Sequence, residues 1–74
     1  MNATTKKIID RLPGKDVLIP GDIALAFGMA SSYAIIDAIR RGRIAAASVG
    51  GKFYISHEEA VRYIESTAVT ADEA

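Results

Sequence analysis

The sequence predicts a small, mainly α-helical domain carrying one β-hairpin. Three observations predict it. Apolar residues recur at helical spacing in four short runs, and the first three are stopped by Pro13-Gly14, Gly28 and Gly42. Gly50-Gly51 then separates two runs of strand-forming residues. The 74 residues suit one domain with a modest core, because a chain this short buries only part of its surface. A deep catalytic cleft is not expected at this size. With 50% hydrophobic and 24% charged residues, the composition is that of a globular chain rather than a disordered one.

Each element has its own justification. Ile8, Ile9 and Leu12 lie one turn apart behind Thr4 or Thr5 as the expected N-cap, giving a first helix over residues 4–12. Lys7 and Arg11 share one face of it, as a solvated pair or as an arm for a phosphate backbone. From Ile19 the pattern is helical again: Ile23, Ala24 and Phe27 point inward, Pro20 suits the first turn, and Asp22 stands near the positive end of the dipole. Gly28 supplies the left-handed backbone of a sharp turn. Ser31 or Ser32 is expected to cap a third helix running to Arg41. Its Ile35, Ala38 and Ile39 face the core, and its outer arc carries Tyr33, Asp37, Arg40 and Arg41. Two short helices across a glycine turn make a helix-turn-helix. Ile44 to Val49 is expected as a strand, Gly50-Gly51 as the turn, and Lys52 to Ile55 as the return strand. The hairpin is a wing, and the fold class is a winged helix-turn-helix. Ser56 and Glu59 form the pattern of a capping box before a last helix whose Ala60, Val61 and Ile64 pack inward. The chain divides into a short helix and connector (1–17), the winged helix-turn-helix (18–65) and a tail without periodicity (66–74).

Charge narrows the function. Nine basic and nine acidic side chains cancel, which disfavours a binder driven by net charge alone. Their distribution is uneven. From Ala38 to Ser56 the only charged residues are Arg40, Arg41, Arg43 and Lys52, whereas five acids and a single Arg62 follow from His57 onward. There is no cysteine and one histidine, so no metal site is expected. No triad or phosphate-cradling loop can be assembled, and neither an enzyme nor a cofactor is expected. No apolar run approaches the eighteen or so residues that a membrane span requires. A soluble, unprocessed, cytoplasmic chain is expected.

Over Leu18 to Glu65 these features resemble the excisionase-type, MerR-like DNA-binding domain. Ala24, Phe27 and Gly28 match its "A-x-x-L-G". Ile39-Arg40-Arg41-Gly42-Arg43-Ile44 is similar to "I-R-R-G-x-L", and Val49-Gly50-Gly51-Lys52-Phe53-Tyr54-Ile55 to "V-G-G-R-x-x-I". The resemblance implies a recognition helix in the major groove, a wing on the adjacent groove, and often head-to-tail assembly on tandem sites. Where many relatives carry arginines early in the recognition helix, this chain has Ser31-Ser32-Tyr33-Ala34-Ile35-Ile36-Asp37. An aspartate there is repelled by phosphates but can accept from a cytosine amino group.

The expected function is duplex DNA binding, as a recombination directionality factor working with an integrase or recombinase, or as a transcriptional regulator of a phage or mobile element. The expected contacts are Ser31, Ser32, Tyr33, Asp37, Arg40, Arg41, Arg43, Gly50, Gly51 and Lys52, with Lys7 and Arg11 as auxiliary phosphate contacts. About four neutralised phosphates correspond to a log-log salt slope near −3.6, at roughly −0.9 per contact. The alternative is a protein-interaction module or small inhibitor that presents Leu25, Tyr33 and Ile36 to a protein.

Overall fold

A computed structural model describes residues 2–69. Its four helices are α1 (Ala3–Asp10), α2 (Pro20–Phe27), α3 (Tyr33–Arg40) and α4 (His57–Ser66). Its three strands are β1 (Val17–Leu18), β2 (Ala47–Val49) and β3 (Lys52–Ser56), in an antiparallel sheet ordered β1-β3-β2. The fold is mainly α, with α2 and α4 packed against β3 and β2 left exposed.

Helix α1 begins earlier than expected. Asn2, not Thr4 or Thr5, is the N-cap, and its Oδ1 accepts the Thr5 amide at 2.7 Å. Asparagine caps as well as threonine does, and starting there leaves Thr5 buried beneath the helix. α1 packs against α2 and α4.

α2 starts at Pro20, as expected. The Asp22 carboxylate reaches back to the Ile19 amide at 3.0 Å and pairs with Lys15 at 3.4 Å. The ends of α2 and α3 are built alike. Gly28 (φ 79°) donates to Leu25 while Met29 donates to Ala24 at 2.9 Å; Gly42 (φ 76°) donates to Ile39 while Arg43 donates to Ala38 at 2.9 Å. Each is a Schellman closure, in which a left-handed residue returns two amides to the last carbonyls. The expected serine cap of α3 is weaker than its sequence pattern. Ser32 occupies the cap position without a side-chain bond, and only Ser31 Oγ accepts, from Tyr33, at 3.4 Å. Arg41 is the residue that ends α3 rather than its last turn.

The first hairpin strand is shorter than the expected run from Ile44. Ile44 is buried in the core and Ala45 donates its amide to a side chain of α4, so pairing starts only at Ala47. Beyond Val49 the turn is as expected, with φ 58° and 79° at Gly50 and Gly51, the positive values that a two-residue hairpin of matching twist demands. β1 was not anticipated. Leu18 pairs with Ile55, Val17 with Ser56, and the His57 amide bonds to Asp16, which ties the connector before α2 to the strand leading into α4.

Only half of the expected capping box forms. Ser56 Oγ accepts the Glu59 amide at 3.0 Å, but the Glu59 carboxylate turns to Ala45 instead of the cap backbone, whose residue is already engaged with β1. α4 extends to Ser66, one residue into the expected tail, and residues 70–74 lie outside the described residues. The core joins Leu12, Leu18, Ile23, Ile35, Ile44, Ile55 and Ile64 with the small Ala24, Ala26, Ala38 and Ala60. Val61 is only half-buried, and Phe27 meets Tyr63 edge to face at 6.4 Å.

Candidate nucleic-acid interface

Three segments converge beside α3. Ile35 and Ala38 turn one side of the helix into the core. Ser32, Ile36 and Arg40, at i, i+4 and i+8, line up along one flank of the opposite side. Next to that flank lies the end of the hairpin. The register Val49–Lys52 closes the turn and fixes Gly51 and Lys52 at its tip. The third wall is the first turn of α2, where Ile19, Pro20 and Gly21 lie close. Together these residues, with Phe53 and Tyr54, bound an open groove of about 480 Å³.

No acid lines this groove, and Arg40 and Lys52 do. Both are exposed, and among the described residues neither is held by an ion pair or a hydrogen bond. At the first turn of α2 the Asp22 carboxylate, bound to the Ile19 amide, offsets the positive end of the helix dipole. A positive channel between a helix and a glycine-tipped hairpin can accept a polyanion without first breaking bonds of the fold.

The other expected site residues lie elsewhere. Tyr33 is 73% exposed on the outer arc of α3, and Ser31 and Gly50 are exposed beside the groove residues in sequence without lining it. Arg41 donates its Nε to Asp37 Oδ2 at 2.8 Å, and this ion pair lies outside the groove lining. Arg43 borders a different depression, with Gly42, Glu59 and Arg62. Lys7 on α1 and Arg11 at its C-cap are exposed and do not line the groove.

The Arg43 depression contains a network that the sequence pattern concealed. Arg62 donates Nε to Glu59 Oε1 at 2.8 Å and Nη2 to Glu59 Oε2 at 2.6 Å, and Nη2 also meets the Arg43 carbonyl at 2.7 Å. Glu59 Oε2 accepts the Ala45 amide at 2.9 Å. The hydrogen bond from Arg62, helped by that of the Ala45 amide, holds the Glu59 carboxyl down from its ordinary 4.5 to about 2, against a smaller desolvation effect. The network clamps the α3–β2 loop to α4 and sets where the hairpin emerges. Ile36 was also missed as a groove residue, although its spacing from Ser32 and Arg40 was available in the sequence.

Comparisons of the chain with protein-family models, with characterised proteins and with solved structures find no match. Among the described residues no helix is long and apolar enough to cross a membrane.

Proposed function

We propose that this chain is a winged helix-turn-helix protein that binds duplex DNA, with α3 entering the major groove and the hairpin tip lying on the backbone or the neighbouring minor groove. The observation that carries the reading is the acid-free groove in which Arg40 of α3 and Lys52 of the hairpin tip stand together with no partner among the described residues. A major groove about 12 Å wide admits a helix, and arginine or lysine there reaches guanine edges or phosphates. The resemblance to excisionase-type domains supports a role in directing recombination beside an integrase, or in regulating transcription, with copies assembling head to tail along the site.

Because Arg41 is paired and Arg43 lies in another depression, we reduce the expected phosphate contacts from four to two. The test is fluorescence anisotropy with a mixed-sequence duplex over a salt series. A slope of about −1.8 is expected, falling to about −0.9 in Arg40→Ala or Lys52→Ala. Absence of binding at low salt, or binding indifferent to both substitutions, rejects the reading. Probes long enough for two or more copies are expected to bind cooperatively, and independent binding rejects head-to-tail assembly.

A second reading has its own observation. Leu25 and Tyr33 are 69% and 73% exposed, and large apolar side chains so open to water suit a protein partner. Loss of partner capture on Leu25→Ser or Tyr33→Ser, in a chain that ignores DNA, would favour it.

A further inference from the structure

Asp37 is the one acid on the outer arc of α3, and its placement is selective. At 3.6 residues per turn it stands about 40° around the axis from Arg41 and about 60° from Arg40. Its carboxylate takes Arg41 at 2.8 Å, with side-chain exposures of 40% for Asp37 and 64% for Arg41. The order is the favourable one, acid four residues before base. The two arginines therefore differ: Arg40 lines the groove with no partner among the described residues, and Arg41, outside the groove, is paired with Asp37. Among the described residues Asp37 has no other ionic partner.

Resting on the DNA-binding reading above, we propose that Asp37 is a specificity-determining residue that withholds Arg41 from generic duplex DNA. A phosphate approaching Arg41 must displace a carboxylate already in hydrogen-bond contact and then lie beside its negative charge. A generic backbone offers nothing to compensate Asp37. A base pair presenting a cytosine amino group does, because the carboxylate can exchange the guanidinium for that donor and release Arg41 to the backbone. The sequence-blind component of affinity is kept low by this arrangement, while the discriminating component keeps its cation.

The experiment measures the salt dependence of binding to one mixed-sequence duplex for four proteins. Wild type is expected near a slope of −1.8, and Asp37→Asn near −2.7, since about 0.9 is added for one released cation. The additional slope makes Asp37→Asn lose about 3.5-fold more affinity than wild type between about 50 and 200 mM salt. Asp37→Asn/Arg41→Ala returns to the wild-type slope. Glu65→Gln, which changes net charge equally on α4, leaves the slope unmoved. An Asp37→Asn slope equal to wild type overturns the proposal, and so does an equal gain from Glu65→Gln, which would make the effect one of overall charge. In both cases wild-type binding with its own slope leaves the DNA reading standing; if wild type does not bind at low salt, both fall together.

Discussion

Arg40 and Arg62 are both exposed arginines on short helices, yet they are built into the molecule in opposite ways. Arg62 spends its donors inside the protein, on both Glu59 oxygens and the Arg43 carbonyl. Arg40 faces the groove with none of its side-chain donors engaged among the described residues. A guanidinium held by three such bonds can swing to a new ligand only by breaking them, whereas an unengaged one gives up only hydration. One arginine holds the loop that carries the hairpin, and the other is available at the surface that the hairpin completes. Asp37–Arg41 falls between these extremes, an exposed pair in which the guanidinium is engaged through its Nε alone.

The largest effect should come from emptying the groove of charge. A salt slope of about −1.8 corresponds to about 60-fold in affinity between about 0.1 M and 1 M salt. Arg40→Ala/Lys52→Ala should therefore weaken duplex binding about 60-fold near 0.1 M salt. Its stability should stay within about 0.5 kcal/mol of wild type, since both side chains are exposed and neither is bonded among the described residues. An anisotropy titration paired with a thermal melt separates the two quantities. A large fall in melting temperature would mean that the groove cations support the fold, and the contrast with Arg62 would disappear.

Glu59→Gln should do the reverse. It removes the charge-assisted bonds to Arg62 and weakens the acceptor for Ala45, at a cost of about 1 kcal/mol after allowing for solvent screening. For a domain of this size that is a fall of roughly 4–8 °C in melting temperature. Its salt slope on DNA should be unchanged. Acid sharpens the test. The folded carboxyl is held at about 2 against an ordinary 4.5, so the unfolded chain takes up the proton first as the pH drops. The contribution is intact above about pH 4.5 and is lost as pH falls toward about 2. Melting curves of wild type and Glu59→Gln should converge across that window; curves that stay parallel would show that the clamp adds no pH-dependent stability.

The sequence revealed what is decided locally and concealed what is decided by distant partners. Gly28 and Gly42 could be placed because closing a helix with a left-handed residue needs only the neighbouring carbonyls, and Gly50-Gly51 because a two-residue turn requires positive φ whatever surrounds it. β1 could not be placed, since two residues carry no periodicity and Val17–Leu18 is a strand only because β3 lies beside it. Glu59 was misread for a subtler reason. The spacing Ser56 to Glu59 satisfies a complete local rule, and half of that rule holds, while the carboxylate is drawn to an amide 14 positions away. In the groove, Arg40 and Lys52 were legible as cations, but their isolation from Arg41 and Arg43 depended on which acids and carbonyls the fold supplied.

A smaller effect is expected at the hairpin tip. Gly50 has φ 58°, and a Cβ built there meets nothing within 4 Å. Asparagine tolerates this region, and Asn-Gly is a favoured pair for such a turn. Gly50→Asn should therefore change stability by less than about 0.5 kcal/mol and leave the DNA slope intact. A loss of binding without a loss of stability would instead indicate that the tip approaches its ligand too closely to carry a side chain, and would extend the groove surface to Gly50.

The smallest effect belongs to Lys7 and Arg11. Both are exposed cations, one on α1 and one at its C-cap, and by sequence alone they look as available as Arg40. Their helix packs on α2 and α4, and neither side chain borders the groove. At physiological salt the screening length is about 8 Å, so an exposed charge outside the contact surface adds to the general potential but releases no counterion of its own. Lys7→Ala/Arg11→Ala should weaken binding less than about two-fold and leave the slope within about 0.3 of wild type. A wild-type slope of about −3.6 that falls by about 1.8 in this variant would place both on phosphates, and the DNA would then have to run past α1 as well as between α3 and the hairpin.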